Sequence, residues 1–318
     1  MLAPILVVFC LLLSVLSFYI YVKATTGVCV SSRHLVGKVV RHLVGKVVLV
    51  TGGTSGIGYE TAADLAERGA RVLIASNERH GDSVRDTIVA RSGNTDVHFI
   101  YLDLASLDSV RSVANEILST EKRLDVLINN AGVLVTQNIN TGDGLLIGMQ
   151  INYFGPFVLT NLLLPLMTKS APSRIINVSS ISYKYGRINL ERLNETFSTY
   201  LTYCNSKLCV ALMTVELGRR LQGTGVTANF LHPGCVTTNI LDGSFIKVFY
   251  KLFNVFSKTP REAAQTSIYL AVSPEVENIS GCYFEYCKMK EPSANARNMD
   301  LARDLWNVTE ELVINNII

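Results

Sequence analysis

The sequence predicts an α/β domain built on a doubly wound parallel sheet, and three observations carry that prediction. Short β-branched or apolar runs alternate with stretches of helical spacing from Val47 onward. The strand runs are continuously apolar rather than alternating, as strands covered on both faces are. A glycine-rich turn, Thr51-Gly52-Gly53-Thr54-Ser55-Gly56-Ile57-Gly58, joins the first run to the first helix.

Each element follows from its own run. Val47 to Val50 reads as the first strand and Ile57 to Glu67 as a helix. Arg71 to Ala75 and Val97 to Leu102 are further apolar runs, giving βαβαβ. Strands are also predicted at Val126 to Asn129, Arg174 to Val178, Val226 to Leu231 and Ser280 to Phe284. Helices are predicted at Ser106 to Ser119, Leu145 to Lys169 and Tyr203 to Leu221. Such sheets bind ligands at the carboxyl ends of their strands, where the strand order reverses. At 318 residues, 48% of them hydrophobic, the chain fills one large domain, residues 46–318, behind an amino-terminal extension.

That extension reads as a membrane anchor and a linker. Leu2 to Val22 carries no charge and is about as long as a helix needs to cross a bilayer, so residues 1–22 are predicted to be transmembrane. A cleaved signal peptide would have a basic start and a shorter apolar stretch. Lys23, Arg33, Lys38, Arg41 and Lys46 follow the span, which places the domain on the cytosolic face. The linker, residues 23–45, holds a repeated octapeptide: RHLVGKVV runs from Arg33 to Val40 and again from Arg41 to Val48. Only the second copy continues into LVTGG and supplies the first strand.

Composition excludes other classes. The net charge of +3 is scattered, with no basic run interleaved with aromatics, so a nucleic-acid surface is set aside. Seven cysteines, an odd number without CxxC spacing, read as small buried hydrophobes. No cluster with metal-ligand spacing occurs. Of the sequons at Asn177, Asn194, Asn278 and Asn307, the first lies in a predicted buried strand, and all read as chance matches in a cytosolic domain.

The glycine turn has a dinucleotide logic. Gly52 permits a tight turn, Gly56 lets backbone approach a pyrophosphate, and Gly58 lets helix and sheet close up. The helix amino end offers free N–H groups and a positive dipole. The second strand ends in Ser76, Asn77, Glu78 and Arg79. An acid at the first position would favour a free ribose 2′-hydroxyl. Ser76 and Asn77 with Arg79 nearby lean toward the 2′-phosphate of NADP, with NAD as the other reading.

By Tyr203-Cys204-Asn205-Ser206-Lys207 the chain has presented TGxxxGIG, Asn129-Asn130-Ala131-Gly132 and the pair Ser179-Ser180. In that order and spacing these motifs resemble the classical short-chain dehydrogenase/reductase family over Lys46 to Glu285, which implies a single Rossmann-type domain. Asp103-Leu104-Ala105-Ser106-Leu107, Asn152-Tyr153-Phe154-Gly155, His232-Pro233-Gly234-Cys235-Val236, Lys258-Thr259-Pro260 and the closing Ala294-Asn295-Ala296-Arg297 are similar to its membrane-anchored retinol dehydrogenase branch. That branch commonly has Arg where Asn77 stands, Asn where Thr54 stands, and His or Leu where Tyr153 and Phe154 stand, departures that bear on cofactor and substrate. The resemblance implies the endoplasmic reticulum membrane, with lipid droplet and mitochondrial membrane as alternatives.

The chemistry implied is hydride transfer coupled to proton transfer. Tyr203 would be the acid and base; a phenol near pKa 10 is a poor base at neutral pH, and Lys207, one helical turn on, supplies positive charge that favours phenolate. Alone, the pair also reads as a half-buried tyrosine with a solvated neighbour; the accompanying motifs decide for catalysis. The resemblance further implies that Lys207 binds the nicotinamide ribose, Ser180 orients the substrate oxygen and Asn152 holds a relay water. Thr54, Ser55 and Ile57 belong to the phosphate turn, Asp103 and Leu104 flank adenine, and Asn130, Ala131 and Gly132 line the adenosine side. Pro233, Gly234, Val236 and Thr238 would bracket the nicotinamide. Ser179 reads as structural, Tyr200 as a decoy whose fourth following position is Cys204, and His232 as a packed loop histidine.

Residues 241–258 carry Phe245, Phe249, Tyr250, Phe253 and Phe256 beside a polar stripe of Lys247, Lys251, Asn254 and Lys258. That is the form of a helix at a bilayer surface with snorkelling lysines, or of a lid packed on the domain. Either suits a lipophilic alcohol, aldehyde or ketone, retinol-like by resemblance, with steroids, farnesol-like isoprenoids and long-chain carbonyls as alternatives. A catalytically silent membrane or lipid-droplet binding protein of the same fold is the competing class. No oligomeric state follows from the sequence.

Overall fold

A computed structural model describes residue 17 and residues 42–195, 198–234, 236 and 258–315. The predicted anchor apart from residue 17, the first octapeptide, Cys235, Thr238 and the predicted lid apart from Lys258 lie outside the described residues.

The described elements are β1 (Val47–Thr51), α1 (Gly56–Glu67), β2 (Arg71–Ser76), α2 (Gly81–Ser92), β3 (Val97–Tyr101), α3 (Leu107–Thr120), β4 (Val126–Asn129), α4 (Ile147–Lys169), β5 (Ser173–Val178), α5 (Thr199–Arg220), β6 (Val226–His232), α6 (Pro260–Val272), β7 (Tyr283–Glu285), β8 (Lys288–Lys290) and α7 (Met299–Glu310). The strands form one sheet in the order β3-β2-β1-β4-β5-β6-β7-β8. All pairings are parallel except β7 with β8, which is antiparallel. The order reverses between β1 and β4, so a crevice opens at their carboxyl ends.

Each face of the sheet is covered by its own apolar cluster. One joins Leu49, Leu73 and Leu127 to side chains of α3, α4, α5 and α7. The other joins Val48, Val50 and Ile74 to side chains of α1, α2 and α6. Burial on both faces is why β1, β2 and β4 read as near-continuous apolar runs, whereas edge strand β3 is fully buried only at Val97 and Ile100. The second octapeptide leads into β1: Leu43 is buried and its N–H reaches Arg68 O at 3.1 Å, while Lys46 Nζ bonds the Asp125 carboxylate at 2.9 Å.

Several expectations change. The helix predicted from Leu145 begins at Ile147 and carries a π turn at Gln150–Phe154. It is long and apolar enough to cross a membrane, but two-thirds of that window (67%) is buried within the domain, as befits a core helix. The helix predicted from Tyr203 starts at Thr199, because Ser198 caps it by accepting the Leu201 N–H at 3.1 Å. Helix α2 escapes a periodicity search because only Gly81 and Ile88 are buried along it. Helix α6 carries a capping box, Thr259 with Glu262, and Pro at its first position.

The cysteines do not all behave as small hydrophobes. Cys204 and Cys209 are free and buried and Cys282 is free and half-buried, but Cys287 is disulfide-bonded. Tyr153 and Phe154, where the sequence departs from the resembled branch, are both fully buried. The Tyr153 hydroxyl lies 2.7 Å from Thr309 Oγ1 on α7, so this departure concerns how α7 packs on α4.

Candidate active site

The β1–α1 turn is shaped by contacts a side chain would block. Gly52 has φ +63°, and a Cβ there would stand 2.9 Å from Ala131 Cα. A Cβ on Gly58 would stand 2.1 Å from Gly52 O, so the helix presses directly on the turn. Asn130 holds the far wall: its Nδ2 donates to Thr51 O at 2.9 Å, and its N–H donates to Thr51 Oγ1 at 3.1 Å. Helix α1 begins without a side-chain cap, since Ser55 makes no such bond and no acidic residue sits in the first turn. Its free N–H groups and dipole suit a phosphate.

A cavity of 920 Å³ lies along this turn. It is lined by Gly52, Thr54, Ser55, Gly56, Ile57, Ser76, Asn77, Asp103, Leu104, Asn130, Ala131 and Gly132, all expected from the sequence. Gly58 does not line it and serves the packing of turn against helix. Val133 to Gln137, Ile139, Ile147, Ile151 and Pro260 also line it and were missed. The loop after Gly132 carries no motif, and Lys258-Thr259-Pro260 carries the family resemblance without assigning Pro260 a place in the site. The volume, the uncapped helix and the close-approach glycines fit a dinucleotide.

Beside the end of β2, Thr54 Oγ1 donates to Ser76 Oγ at 3.0 Å, and Ser76 Oγ also accepts the Glu78 N–H at 3.2 Å. Glu78 and Asp103 line the cavity, whereas Arg79 does not; among the described lining residues there is no Lys or Arg.

The remaining candidate groups lie on or beside α4, β5, α5 and β6; Asn152, Ser180, Tyr203, Lys207, Pro233, Gly234 and Val236 are not among the residues lining this cavity, and of these Lys207 and Asn152 approach its wall at Gly132. Lys207 is buried, donates to Val178 O at 3.1 Å, and lies 5.8 Å from the Tyr203 ring centroid. Burial pushes its ammonium down to about 8. Its Nζ packs against Gly132, which lines the cavity although Lys207 itself does not: a Cβ on Gly132 would stand 2.9 Å from Nζ and 3.4 Å from Asn152 Oδ1. The π turn of α4 presents Asn152, whose Oδ1 accepts the Val133 N–H at 2.8 Å. Its Nδ2 donates to Val133 O at 2.9 Å and Ser206 Oγ at 3.0 Å, so this amide clamps the loop after Gly132.

Ser179 Oγ donates to Lys207 O at 2.9 Å, tying β5 to α5. Ser180, half-buried at the end of β5, accepts the Ser182 N–H at 3.3 Å. Tyr203 is half-buried, while Tyr200 is 55% exposed in the first turn of α5. Pro233 and Gly234 are buried behind β6, and Gly234 adopts φ +97° against Lys258. Val236 bridges to Lys258.

Comparisons with known proteins agree with this geometry. The family model for short chain dehydrogenase matches residues 46–247. Human retinol dehydrogenase 11 is 42% identical over 316 residues, covering 96% of this chain and 97% of that protein. Mouse retinol dehydrogenase 14 is 47% identical over 284 residues, covering 84% and 85%. Among solved structures, an uncharacterized protein from Mycobacterium paratuberculosis superposes with TM-score 0.70 at 33% identity, over 85% of this chain and 94% of that one. The Pseudomonas aeruginosa RhlG/NADP active-site complex gives TM-score 0.62 at 27% identity, over 78% and 96%. The chain belongs to the short-chain dehydrogenase family and is an NAD(P)-dependent oxidoreductase.

Proposed function

We propose that this chain interconverts a lipophilic alcohol and its aldehyde or ketone, a retinol-type compound first, through Tyr203, Lys207, Ser180 and Asn152. The observation that carries the reading is the packing of Lys207 Nζ against Gly132, a residue of the cavity wall, with Tyr203 one helical turn earlier on the same helix. The nicotinamide ring, when bound, gives or accepts the hydride.

Tyr203 delivers a proton from its phenolic oxygen to the substrate oxygen in reduction and accepts it back in oxidation. The Lys207 charge favours phenolate and binds the adjoining ribose. Ser180 Oγ already accepts a backbone N–H, so its own proton is free to donate to the substrate oxygen and hold it against Tyr203. Asn152 spends its amide on Val133 and Ser206 and holds the wall against which Lys207 rests; a relay water would sit on its remaining capacity.

The relatives named retinol dehydrogenase support the substrate class. The cofactor is NADP or NAD with weak discrimination. Ser76 and Asn77 can bond a 2′-phosphate, but Glu78 and Asp103 line the same cavity. By this reading residues 1–22 would anchor the chain in a membrane, the endoplasmic reticulum first and lipid droplet or mitochondrial membrane as alternatives, with the domain cytosolic, and 241–258 would be a lid or a bilayer-surface helix at a lipophilic entrance.

The test is turnover by the full chain in detergent with retinoid, isoprenoid and steroid substrates, both cofactors, and Tyr203→Phe beside wild type. Loss of general acid–base catalysis predicts a fall of about 100-fold or more in the variant, with cofactor binding retained. Cofactor binding without turnover of any compound by the wild type would favour a silent binding protein.

A further inference from the structure

The end of β6 meets the turn that follows β5 through one side chain. His232 closes β6, is 5% exposed, and its Nδ1 accepts the N–H of Ile181 at 3.1 Å. Ile181 directly follows Ser180 and opens the 3-10 turn Ile181–Tyr185, whose first N–H groups have no partner inside the turn. Ser180 is extended at φ −152°, ψ 157° and takes the next N–H, that of Ser182. The two orphan donors therefore have separate acceptors, and His232 leaves the Ser180 hydroxyl only one backbone group to serve.

The sheet does not explain this contact. Strands β5 and β6 pair from Ser173 with Val226 to Val178 with Leu231, and Ser179 N–H closes the ladder on Leu231 O at 2.8 Å. The bond from Ile181 to His232 comes after the ladder has ended, where it sets how the chain leaves the sheet.

The ring is kept in the form this bond needs. An Nδ1 that accepts a backbone N–H carries no proton, so the neutral ring has its proton on Nε2. Burial, then the cations of Lys258 and Lys184, push the His232 imidazole down to about 4. Lys258 is itself backed by Tyr286, whose ring centroid is 4.2 Å from Nζ. The Lys258 stem lies 2.8 Å from where a Cβ on Gly234 would stand, which puts the same support behind the loop that follows His232.

We propose that His232 is a positioning residue for Ser180: by accepting the Ile181 N–H it fixes the turn that aims the Ser180 hydroxyl at the substrate oxygen. This rests on the reaction proposed above.

The test compares His232→Leu, which removes the acceptor, with His232→Asn, whose amide oxygen can occupy the Nδ1 position. His232→Leu is expected to lower kcat by about 10- to 100-fold, the scale of a misplaced reacting group, with cofactor Kd within about twofold of wild type. His232→Asn is expected to recover kcat to within about threefold. Combining His232→Leu with Ser180→Ala should add less than about threefold to the loss from Ser180→Ala alone, because both act at one hydroxyl. Backbone hydrogen exchange over residues 178–186 should quicken by about tenfold or more in the Leu variant and return toward wild type in the Asn variant.

Wild-type kcat in the Leu variant, an additive loss in the double variant, or unchanged exchange would each overturn the proposal. Absence of turnover by the wild type would instead sink the reaction, and the exchange comparison would still decide whether His232 holds the turn.

Discussion

Lys207 Nζ and Gly132 meet so closely that no methyl group fits between them: a Cβ on Gly132 would stand 2.9 Å from the ammonium. The glycine is thus the seat of the lysine. Gly132→Ala is expected to displace Lys207 and cut kcat by about 10- to 100-fold, with the melting temperature nearly unchanged. Steady-state kinetics beside thermal unfolding check it, and a variant with wild-type kcat would show that the seat is dispensable.

Burial holds Lys207 at about 8, so its charge is present below that pH and lost above it. Activity that depends on the ammonium should fall in the free enzyme as pH rises through about 8. Stability moves the other way. Between about 8 and the ordinary 10.5 the unfolded chain binds more protons than the native one, so the cost of burying the ammonium is relieved as pH rises across that window. Lys207→Met should flatten that rise in stability, measured by urea denaturation against pH.

His232 gives an acid limb of the same sign. Its native imidazole titrates near 4, below the ordinary 6.5, so the unfolded state binds the extra proton as pH falls through that interval. Stability should drop by on the order of 3 kcal/mol from pH 6.5 to 4 beyond what the carboxylates contribute. His232→Asn should remove that increment; an unchanged slope would mean that His232 is not held neutral.

Asn177 is wholly buried, accepts from Asn129 Nδ2 at 2.8 Å and donates to Thr214 Oγ1 at 2.8 Å. It joins β4, β5 and α5 beneath the site. Asn177→Leu should cost about 2 kcal/mol by stranding polar partners in the core. A shift in the urea midpoint at constant slope checks it. The sequon at this position should carry no glycan in the folded protein, read as an unchanged mass after glycosidase treatment.

The end of the cavity beside Ser76 and Asn77 offers hydroxyl and amide groups, but no cation among the described lining residues. Asn77→Arg should raise the ratio of kcat/KM for NADP over NAD by about 10-fold or more, since a guanidinium binds phosphate by paired charge-assisted bonds. A ratio within about twofold of wild type would mean that the 2′-phosphate does not reach residue 77.

Much of this molecule was legible locally. The strands β1 to β6 fall within a few residues of their apolar runs, and the glycine turn sits where its spacing puts it. Edge strand β8 has no signature in the sequence, because Lys288–Lys290 is exposed along its length and has no buried face to give it a pattern. Helix α7 has a local start signal in Asn298, which caps it by accepting the Leu301 N–H at 3.0 Å, but the apolar run expected of a helix is thin there, with only Ala302, Leu305, Trp306 and Thr309 buried.

The sequence by itself determined the alternation of strands and helices, the phosphate turn and the placement of Tyr203 and Lys207 on one helical face, since each depends on neighbours a few residues apart. Only the tertiary structure decided that Lys207 comes to rest on Gly132, that Tyr153 bonds Thr309, and that His232 serves Ile181. Periodicity tells which face of an element is buried; which distant residue fills that face is settled when strands, helices and side-chain volumes close around one core.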